Sequence, residues 1–193
     1  MVAPPYYSLP GPDELLEHFR AVDTAIGIPI MLYNFPARTG VDLRPEFVQR
    51  LAELKNVRYI KDSTGETWRI SEIIRLCGDR MRVFVGGDTV AFEGLMLGSA
   101  GWVAAIANVC AAEHVRLYRL IECKDYAAAR DYFYRLLPLF SLFEHSGKFT
   151  QFVKAGCGIA GRDSGPPRRP LLSPNADELE AIREAIGQLK YEK

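Results

Sequence analysis

The sequence has 193 residues and carries 24 lysine and arginine residues against 24 aspartate and glutamate residues, so its formal net charge is zero. That balance excludes the strong positive charge typical of nucleic-acid-binding domains and of segments that bind anionic membranes. Hydrophobic residues make up 48% of the chain and charged residues 25%, which is typical of a folded globular protein rather than a disordered one.

The chain also lacks the sequence features of membrane and secreted proteins. No apolar run approaches the roughly 18 residues that a transmembrane helix needs, and residues 1–5 do not resemble the start of a signal peptide. The four cysteines include no C-x-x-C pair, which argues against zinc and redox motifs and favours reduced thiols. We therefore expect a cytoplasmic protein that acts on a small molecule.

Strands and helices alternate through the first hundred residues. Apolar residues at helical spacing predict helices over 13–26, 45–54, 68–77 and 88–97. Short continuous apolar runs predict buried strands over 28–34, 57–61, 81–86 and 101–107. One helix between successive strands implies parallel crossover connections.

The pattern becomes entirely helical beyond residue 110. We predict helices over 111–123, 125–142, 148–161 and 175–190. The sequence thus predicts an α/β protein in which a β/α array is followed by a helical extension.

Polar residues follow the predicted strands at the ends where parallel α/β folds carry their functional sites. These strand ends are Tyr33-Asn34, Lys61-Asp62, Gly86-Gly87-Asp88 and Ala107-Asn108.

Lys61 is the strongest single candidate, because it ends a strand whereas the other six lysines fall in helices or at the ends of elements. Burial lowers the pKa of an ammonium group and yields an amine that can form a Schiff base. The alternative is an exposed lysine in a surface ion pair, and position alone leaves both open.

Three nearby residues have similar alternatives. Tyr33 either transfers protons beside a cation or is a core tyrosine with a satisfied hydroxyl. Arg38 either binds a substrate carboxylate or lies on the surface. Gly86 follows a strand without the spacing of a phosphate-binding loop, so it either allows a small ligand to approach the backbone closely or forms a simple turn.

Two blocks at a specific spacing carry a family resemblance. The segment YNFPARTG at 33–40, followed by IKDSTG at 60–65, resembles the dihydrodipicolinate synthase/N-acetylneuraminate lyase family. The segments PYY at 5–7 and GWVAAIAN at 101–108 are similar to further segments of that family.

The resemblance implies a (β/α)8 TIM barrel that is incomplete at its N-terminus and contributes about strands 4–8. Residues 1–110 would form this partial barrel, and 111–193 the last barrel helix and a C-terminal helical domain. It also implies a homo-oligomer, either a dimer or a tetramer.

The resemblance further implies that Lys61 forms an imine with pyruvate or another 2-oxo acid. Tyr33 would relay protons, and Tyr7 would reach across a subunit interface into a neighbouring relay. Arg38 would bind a substrate carboxylate at the entrance of the site. By their positions at strand ends, Asn34 and Gly86 are further candidates for substrate contact. No metal or organic cofactor is expected, because the protonated imine itself accepts the electrons.

Several reactions remain open at this point. A lysine imine can serve aldol condensation, aldol cleavage, or dehydration and deamination. The segment GKFTQFVK at 147–154 is similar to catabolic members such as pyrroline-4-hydroxy-2-carboxylate deaminases. The other class of hypothesis is a truncated, non-catalytic chain, because the resemblance lacks about the first hundred residues and a Gly-Thr-Thr loop that binds the substrate carboxylate.

Overall fold

A parallel four-stranded sheet, ordered β1-β2-β3-β4, organises the first part of the chain. The computed structural model describes residues 1–189, which form two compact units, the first comprising Met1–Val103 and the second beginning at Ala104. The strands are β1 (Ile30–Asn34), β2 (Val57–Asp62), β3 (Arg82–Val85) and β4 (Gly101–Trp102). The helices of this unit are α1 (Pro12–Ala25), α2 (Pro36–Thr39), α3 (Pro45–Leu51), α4 (Trp68–Cys77) and α5 (Ala91–Met96), with a 3-10 turn at Gly78–Arg80.

The predicted α/β class and the parallel sheet are confirmed, whereas several element boundaries are wrong. The strand predicted over 101–107 pairs only at Gly101–Trp102, and Ala107 already begins a helix. The helix predicted over 88–97 starts at Ala91, because 88–90 form a bend and a turn. The predicted loop after β1 contains the short helix α2, which ends at Gly40 with φ 70°, a conformation that favours glycine.

The chain segment before α1 adds one further contact to the sheet. The amide of Val2 donates to the Met31 carbonyl at 2.8 Å, and the Tyr33 amide donates to the Val2 carbonyl at 2.8 Å. This single parallel bridge places the segment beside β1.

The two faces of the sheet differ in burial. Alternate residues of β1, Ile30, Leu32 and Asn34, are fully buried, and Met31 and Tyr33 between them are half-buried. Since strand side chains alternate between faces, the buried face packs beneath the helices and the other face is half-open. Tyr33, Lys61 and Phe84 are register partners and therefore share the half-open face.

The second unit consists of four helices, α6 (Ala107–Glu122), α7 (Tyr126–His145), α8 (Phe149–Ile159) and α9 (Ala176–Gln188). The four predicted helices are confirmed, although the predicted end at residue 190 lies outside the described residues. Aromatic side chains form much of the core, with Phe133, Phe140, Phe143 and Phe152 buried. Among residues 1–189, no helix is long and apolar enough to span a membrane.

Candidate active site

Lys61 and Tyr33 face each other on neighbouring strands. They are register partners at the carboxyl ends of β2 and β1, and the Nζ of Lys61 lies 4.7 Å from the centroid of the Tyr33 ring. Lys61 is only 9% exposed, so the structure places it in the buried environment rather than in the surface ion pair that the sequence left open.

The surroundings of Lys61 favour its neutral form. Burial lowers the pKa of the Lys61 ammonium group, and the negative charge of Asp88 opposes this effect. Asp88 is buried in the bend that follows β3. A buried amine with a lowered pKa is a nucleophile suited to imine formation.

The pKa of the Tyr33 phenol is shifted in the opposite direction, upward. Burial raises the pKa of its phenol, while the Ser63 hydroxyl and the Arg38 charge lower it, and the net direction is upward. The phenol is therefore protonated at neutral pH. It can donate a proton next to the Lys61 nitrogen.

Ser63 is a site residue that the sequence analysis did not select. It follows Lys61 by two positions, and this spacing puts both side chains on one face of an extended chain. Its Oγ is shielded from solvent and makes no hydrogen bond of good geometry with the described residues, so its contact with the Tyr33 phenol is a loose one. In the sequence, only its spacing of two residues from Lys61 indicates that Ser63 shares the site.

Gly86 is required by the approach of Ser63. A Cβ atom at position 86 would lie 2.0 Å from the Ser63 Oγ and 2.7 Å from the Asp62 carbonyl oxygen. The Gly86 amide already donates to that carbonyl at 2.7 Å. The close approach predicted at Gly86 is thus made by the chain itself, and this amide is not available to a substrate.

Arg38 lies in α2, directly after the Tyr33 strand end. Its side chain is exposed, and its Cζ lies 6.0 Å from the centroid of the Phe35 ring. Its charge acts on the Tyr33 phenol, so it is close enough to the site to attract an anionic group.

Asn34 lies on the other face of the sheet from Lys61. Its Nδ2 donates to the Asp62 carboxylate at 2.9 Å and to the Leu43 carbonyl at 3.3 Å. Its Oδ1 accepts from the Leu43 amide at 3.0 Å. These bonds use the amide fully and the residue is buried, so the geometry assigns Asn34 a structural role instead of the predicted substrate contact.

Tyr7 is not part of the Tyr33–Lys61 pair. It is 94% exposed and adopts a positive φ of 70° in the segment before α1. Within the described chain its phenol therefore projects into solvent.

Metal-binding geometry is not found in the part of the chain that the structure describes, where no group of three or more His, Cys, Asp or Glu side chains could hold an ion. The four cysteines are free thiols.

Nearly the whole chain is similar in sequence to one family of enzymes. The sequence pattern of the Dihydrodipicolinate synthetase family matches residues 1–189. The 4-hydroxy-tetrahydrodipicolinate synthase of Sodalis glossinidius is 42% identical over 184 residues, covering 94% of this chain and 62% of the relative. The enzyme of the same name from Archaeoglobus fulgidus is 34% identical over 191 residues, covering 98% and 65%.

Solved structures give the same relationship. The dihydrodipicolinate synthase of Aquifex aeolicus superimposes with a TM-score of 0.91 at 31% identity, covering 97% of this chain and 64% of that one. The chloride-inhibited enzyme of Acinetobacter baumannii, complexed with pyruvate, superimposes with a TM-score of 0.87 at 29% identity, covering 96% and 64%. This chain thus spans just under two thirds of the length of these relatives. The predicted resemblance is confirmed, and the chain belongs to the Dihydrodipicolinate synthetase family.

Proposed function

We propose that this chain carries the imine-forming site of a lyase that acts on pyruvate or a related 2-oxo acid. The observation that carries the proposal is the buried Lys61 amine facing the Tyr33 ring at 4.7 Å. The lowered pKa of Lys61 favours a nucleophilic amine, and the raised pKa of Tyr33 keeps a proton donor beside it.

The residues divide the reaction between them. The neutral amine of Lys61 attacks the C2 carbonyl of the 2-oxo acid, and the carbonyl oxygen leaves as water after it receives protons. Tyr33 supplies protons to that oxygen and later exchanges them with the substrate carbon. The resulting protonated imine accepts the electron pair from C3, so the step requires no metal or organic cofactor.

Arg38 is placed to attract the anionic substrate to the strand ends. Its side chain extends from α2, directly after the Tyr33 strand end, and is exposed. A guanidinium binds a carboxylate through paired hydrogen bonds. We assign Arg38 to the entrance of the site.

The relatives favour one reaction within this class. They bear the name 4-hydroxy-tetrahydrodipicolinate synthase, and one homologous structure contains pyruvate. The first candidate is therefore condensation of the pyruvate imine with an aldehyde.

Dehydration or deamination of a longer 2-oxo acid is the second candidate. It is favoured by Ser63, whose buried hydroxyl beside the Tyr33 phenol could protonate a leaving hydroxyl or amine. The segment 147–154 does not discriminate, because its Phe152 and Gln151 are buried in the helical unit and Lys148 pairs with Glu178 at 2.7 Å.

The proposal also includes the rest of a closed barrel and a second subunit, which would complete the site. The half-open face of the sheet is the face that a closed (β/α)8 barrel would enclose, and the relatives are longer than this chain by about a third of their own length. The exposed Tyr7 phenol is suited to contact a second subunit in a dimer or tetramer. A non-catalytic chain would retain Lys61 without forming the adduct described next.

The test is reductive trapping. The protein is incubated with pyruvate and borohydride, and intact-mass analysis measures the covalent adduct. Wild type should gain one pyruvate, less one water, plus two hydrogens, and Lys61→Ala should gain nothing. Lys55→Ala, which removes an exposed lysine just before the other end of β2, is the matched control and should label like wild type. No adduct with pyruvate or longer 2-oxo acids would contradict the proposal.

A further inference from the structure

A hydrogen-bonded pair of side chains lies directly behind the proposed active site. On the half-open face of the sheet, Tyr33 is opposite Lys61; on the helix-covered face, the next residues of the same strands, Asn34 and Asp62, are opposite each other. The Asn34 Nδ2 donates to the Asp62 Oδ2 at 2.9 Å, and both side chains are buried.

Each member of the pair is also tied to the loop that follows its own strand. Asn34 exchanges hydrogen bonds with the backbone of Leu43, in the loop before α3. The other carboxylate oxygen of Asp62 accepts from the Thr64 amide at 3.1 Å and from the Thr64 hydroxyl. The interstrand bond thus connects the two loops as well as the two strands.

The register of β1 against β2 is not uniform along the strands, so the Asn34–Asp62 hydrogen bond near their carboxyl ends matters for the alignment of the site residues. The register shifts between Ile30 and Met31, so that Ile30 is opposite Val57 while Met31 is opposite Tyr59. A slip by one residue would move every later side chain to the opposite face of the sheet. A contact that holds the register at the carboxyl ends therefore also holds which residues face each other at the site.

We propose that Asn34 and Asp62 are positioning residues whose mutual hydrogen bond keeps Tyr33 and Lys61 facing each other across the sheet. This inference rests on the proposed function for its relevance to catalysis, although the geometry it describes does not depend on the reaction. Neither side chain reaches the half-open face, so each acts through its neighbour along the strand.

Swapping the two side chains tests the pair. Asp62→Asn alone brings two amide NH2 groups together. Asn34→Asp alone brings two carboxylates together and also turns a carboxylate toward the Leu43 carbonyl and the Asp42 Oδ1, which lies 3.5 Å from the Asn34 Nδ2. The double variant N34D/D62N restores one donor and one acceptor, and the amide oxygen that it introduces on β2 can still accept from Thr64. Asp23→Asn is the matched control, since its carboxylate accepts from the Asn56 amide at 2.6 Å near the other end of β2.

The first readout does not depend on the substrate. Acylation of Lys61 by acetic anhydride is measured against pH by peptide mass spectrometry, with the exposed Lys55 as internal reference. Each single variant should move the Lys61 midpoint to higher pH, because a released amine becomes hydrated. Asp62→Asn is the decisive variant, since the carboxylate charge it removes would by itself move the midpoint to lower pH, whereas the charge that Asn34→Asp adds acts in the same direction as hydration. The charged and titratable groups around Lys61 that the swap leaves in place are Tyr33 on β1, Asp88 after β3, and Arg38 beyond Tyr33. The double swap should return the midpoint toward that of wild type.

The second readout is the rate of borohydride trapping with pyruvate. Misplacement of the reacting groups should slow trapping roughly tenfold to a hundredfold in the single variants, with recovery in the double swap and no change in Asp23→Asn. Folded single variants with the wild-type Lys61 midpoint overturn the inference, and so does a double swap that is unfolded or does not recover. If wild type forms no adduct but the acylation midpoints shift and recover as expected, the positioning holds and the proposed function fails.

Discussion

Tyr33 and Lys61 are directly opposed across neighbouring parallel strands, with the lysine nitrogen 4.7 Å from the centroid of the phenol ring. Burial acts on the two groups in opposite ways, because it lowers the pKa of the amine and raises that of the phenol. This environment shifts the amine toward its uncharged, nucleophilic form and keeps the phenol protonated at neutral pH, which are the two properties that imine formation needs.

Removing the phenol oxygen of Tyr33 should impair proton transfer while leaving the packing beside Lys61 in place. Tyr33→Phe retains the ring beside Lys61 but lacks the acid, so turnover should fall by roughly 10²–10⁴-fold while the folded structure remains. Steady-state kinetics with pyruvate and an aldehyde measures this. Tyr59→Phe, a half-buried tyrosine whose ring lies 6.0 Å from that of Phe84 on the neighbouring strand, is the control and should retain activity. Equal losses in both variants would contradict the assignment of Tyr33.

Removing the charge of Asp88 should move the pH dependence of imine formation. Burial lowers the pKa of Lys61 and Asp88 partly opposes it, so the trapping rate of wild type should reach its midpoint below about pH 10.4, the value for a free lysine side chain. Asp88→Asn should shift this midpoint to still lower pH. Asp79→Asn, on an exposed turn, should leave it unchanged. A shift to higher pH in Asp88→Asn would show that Asp88 does not act on Lys61 through its charge.

Lys61 should also reduce the stability of the fold at neutral pH. Because its pKa is lower when folded than when unfolded, the unfolded chain binds more protons between the two pKa values, and stability rises with pH through that window. Lys61→Met removes the buried cation, so it should unfold at a higher urea concentration at pH 7. This advantage should shrink as the pH rises through the window toward the unfolded pKa. Lys55→Met should show no such pH-dependent difference.

The proximity of the main site residues could be predicted from the sequence more accurately than the boundaries of the strands and helices. Lys61 and Tyr33 could be placed together because polar residues at the carboxyl ends of successive parallel strands meet at one edge of the sheet. The end of β4 could not be placed, because residues 101–107 are apolar throughout and periodicity does not show where pairing stops.

The roles of Asn34 and Gly86 were beyond the sequence for a different reason. Both directly follow apolar strand residues, which is the pattern typical of substrate-binding residues in parallel α/β folds. Asn34 bonds to Leu43 and Asp62, and the Gly86 amide donates to the Asp62 carbonyl, and the periodicity of the sequence does not show these partners. The packing of Ser63 against Gly86 is likewise a tertiary contact between the ends of β2 and β3.

Gly86 should not tolerate a side chain. In Gly86→Ala, the new methyl group would overlap the Ser63 hydroxyl and the Asp62 carbonyl, and such overpacking costs roughly 1–3 kcal/mol of unfolding free energy. Urea denaturation measures the loss. Gly27→Ala is the matched control, because no atom lies within 4 Å of its Cβ position, and its effect should stay within about 0.5 kcal/mol. An unchanged midpoint in Gly86→Ala would mean that Ser63 moves aside freely.

Arg69, in α4, connects its helix to the loop before α3, and its removal should destabilise the fold. Its side chain is 6% exposed and donates to both oxygens of Asp42, at 2.7 and 3.0 Å, and to Glu66. Arg69→Met leaves the partly buried Asp42 carboxylate without this partner, so the free energy of unfolding at pH 7 should fall by roughly 1.5–3 kcal/mol. Arg75→Met, on the exposed face of the same helix and paired with Glu72 at 2.6 Å, should lose much less, because solvent screens an exposed ion pair.

The loss in Arg69→Met should depend on pH with a defined sign. Burial pushes the pKa of Asp42 upward, but the hydrogen bonds and charge of Arg69 outweigh it, and the pKa is lowered. A carboxyl group whose pKa is lowered on folding stabilises the protein above its unfolded value of about 3.9, and this contribution disappears as the pH falls through the folded value. Urea denaturation between pH 7 and pH 3 should therefore show wild type losing stability in acid faster than Arg69→Met. Parallel curves for the two proteins would place the acid-sensitive group elsewhere than Asp42.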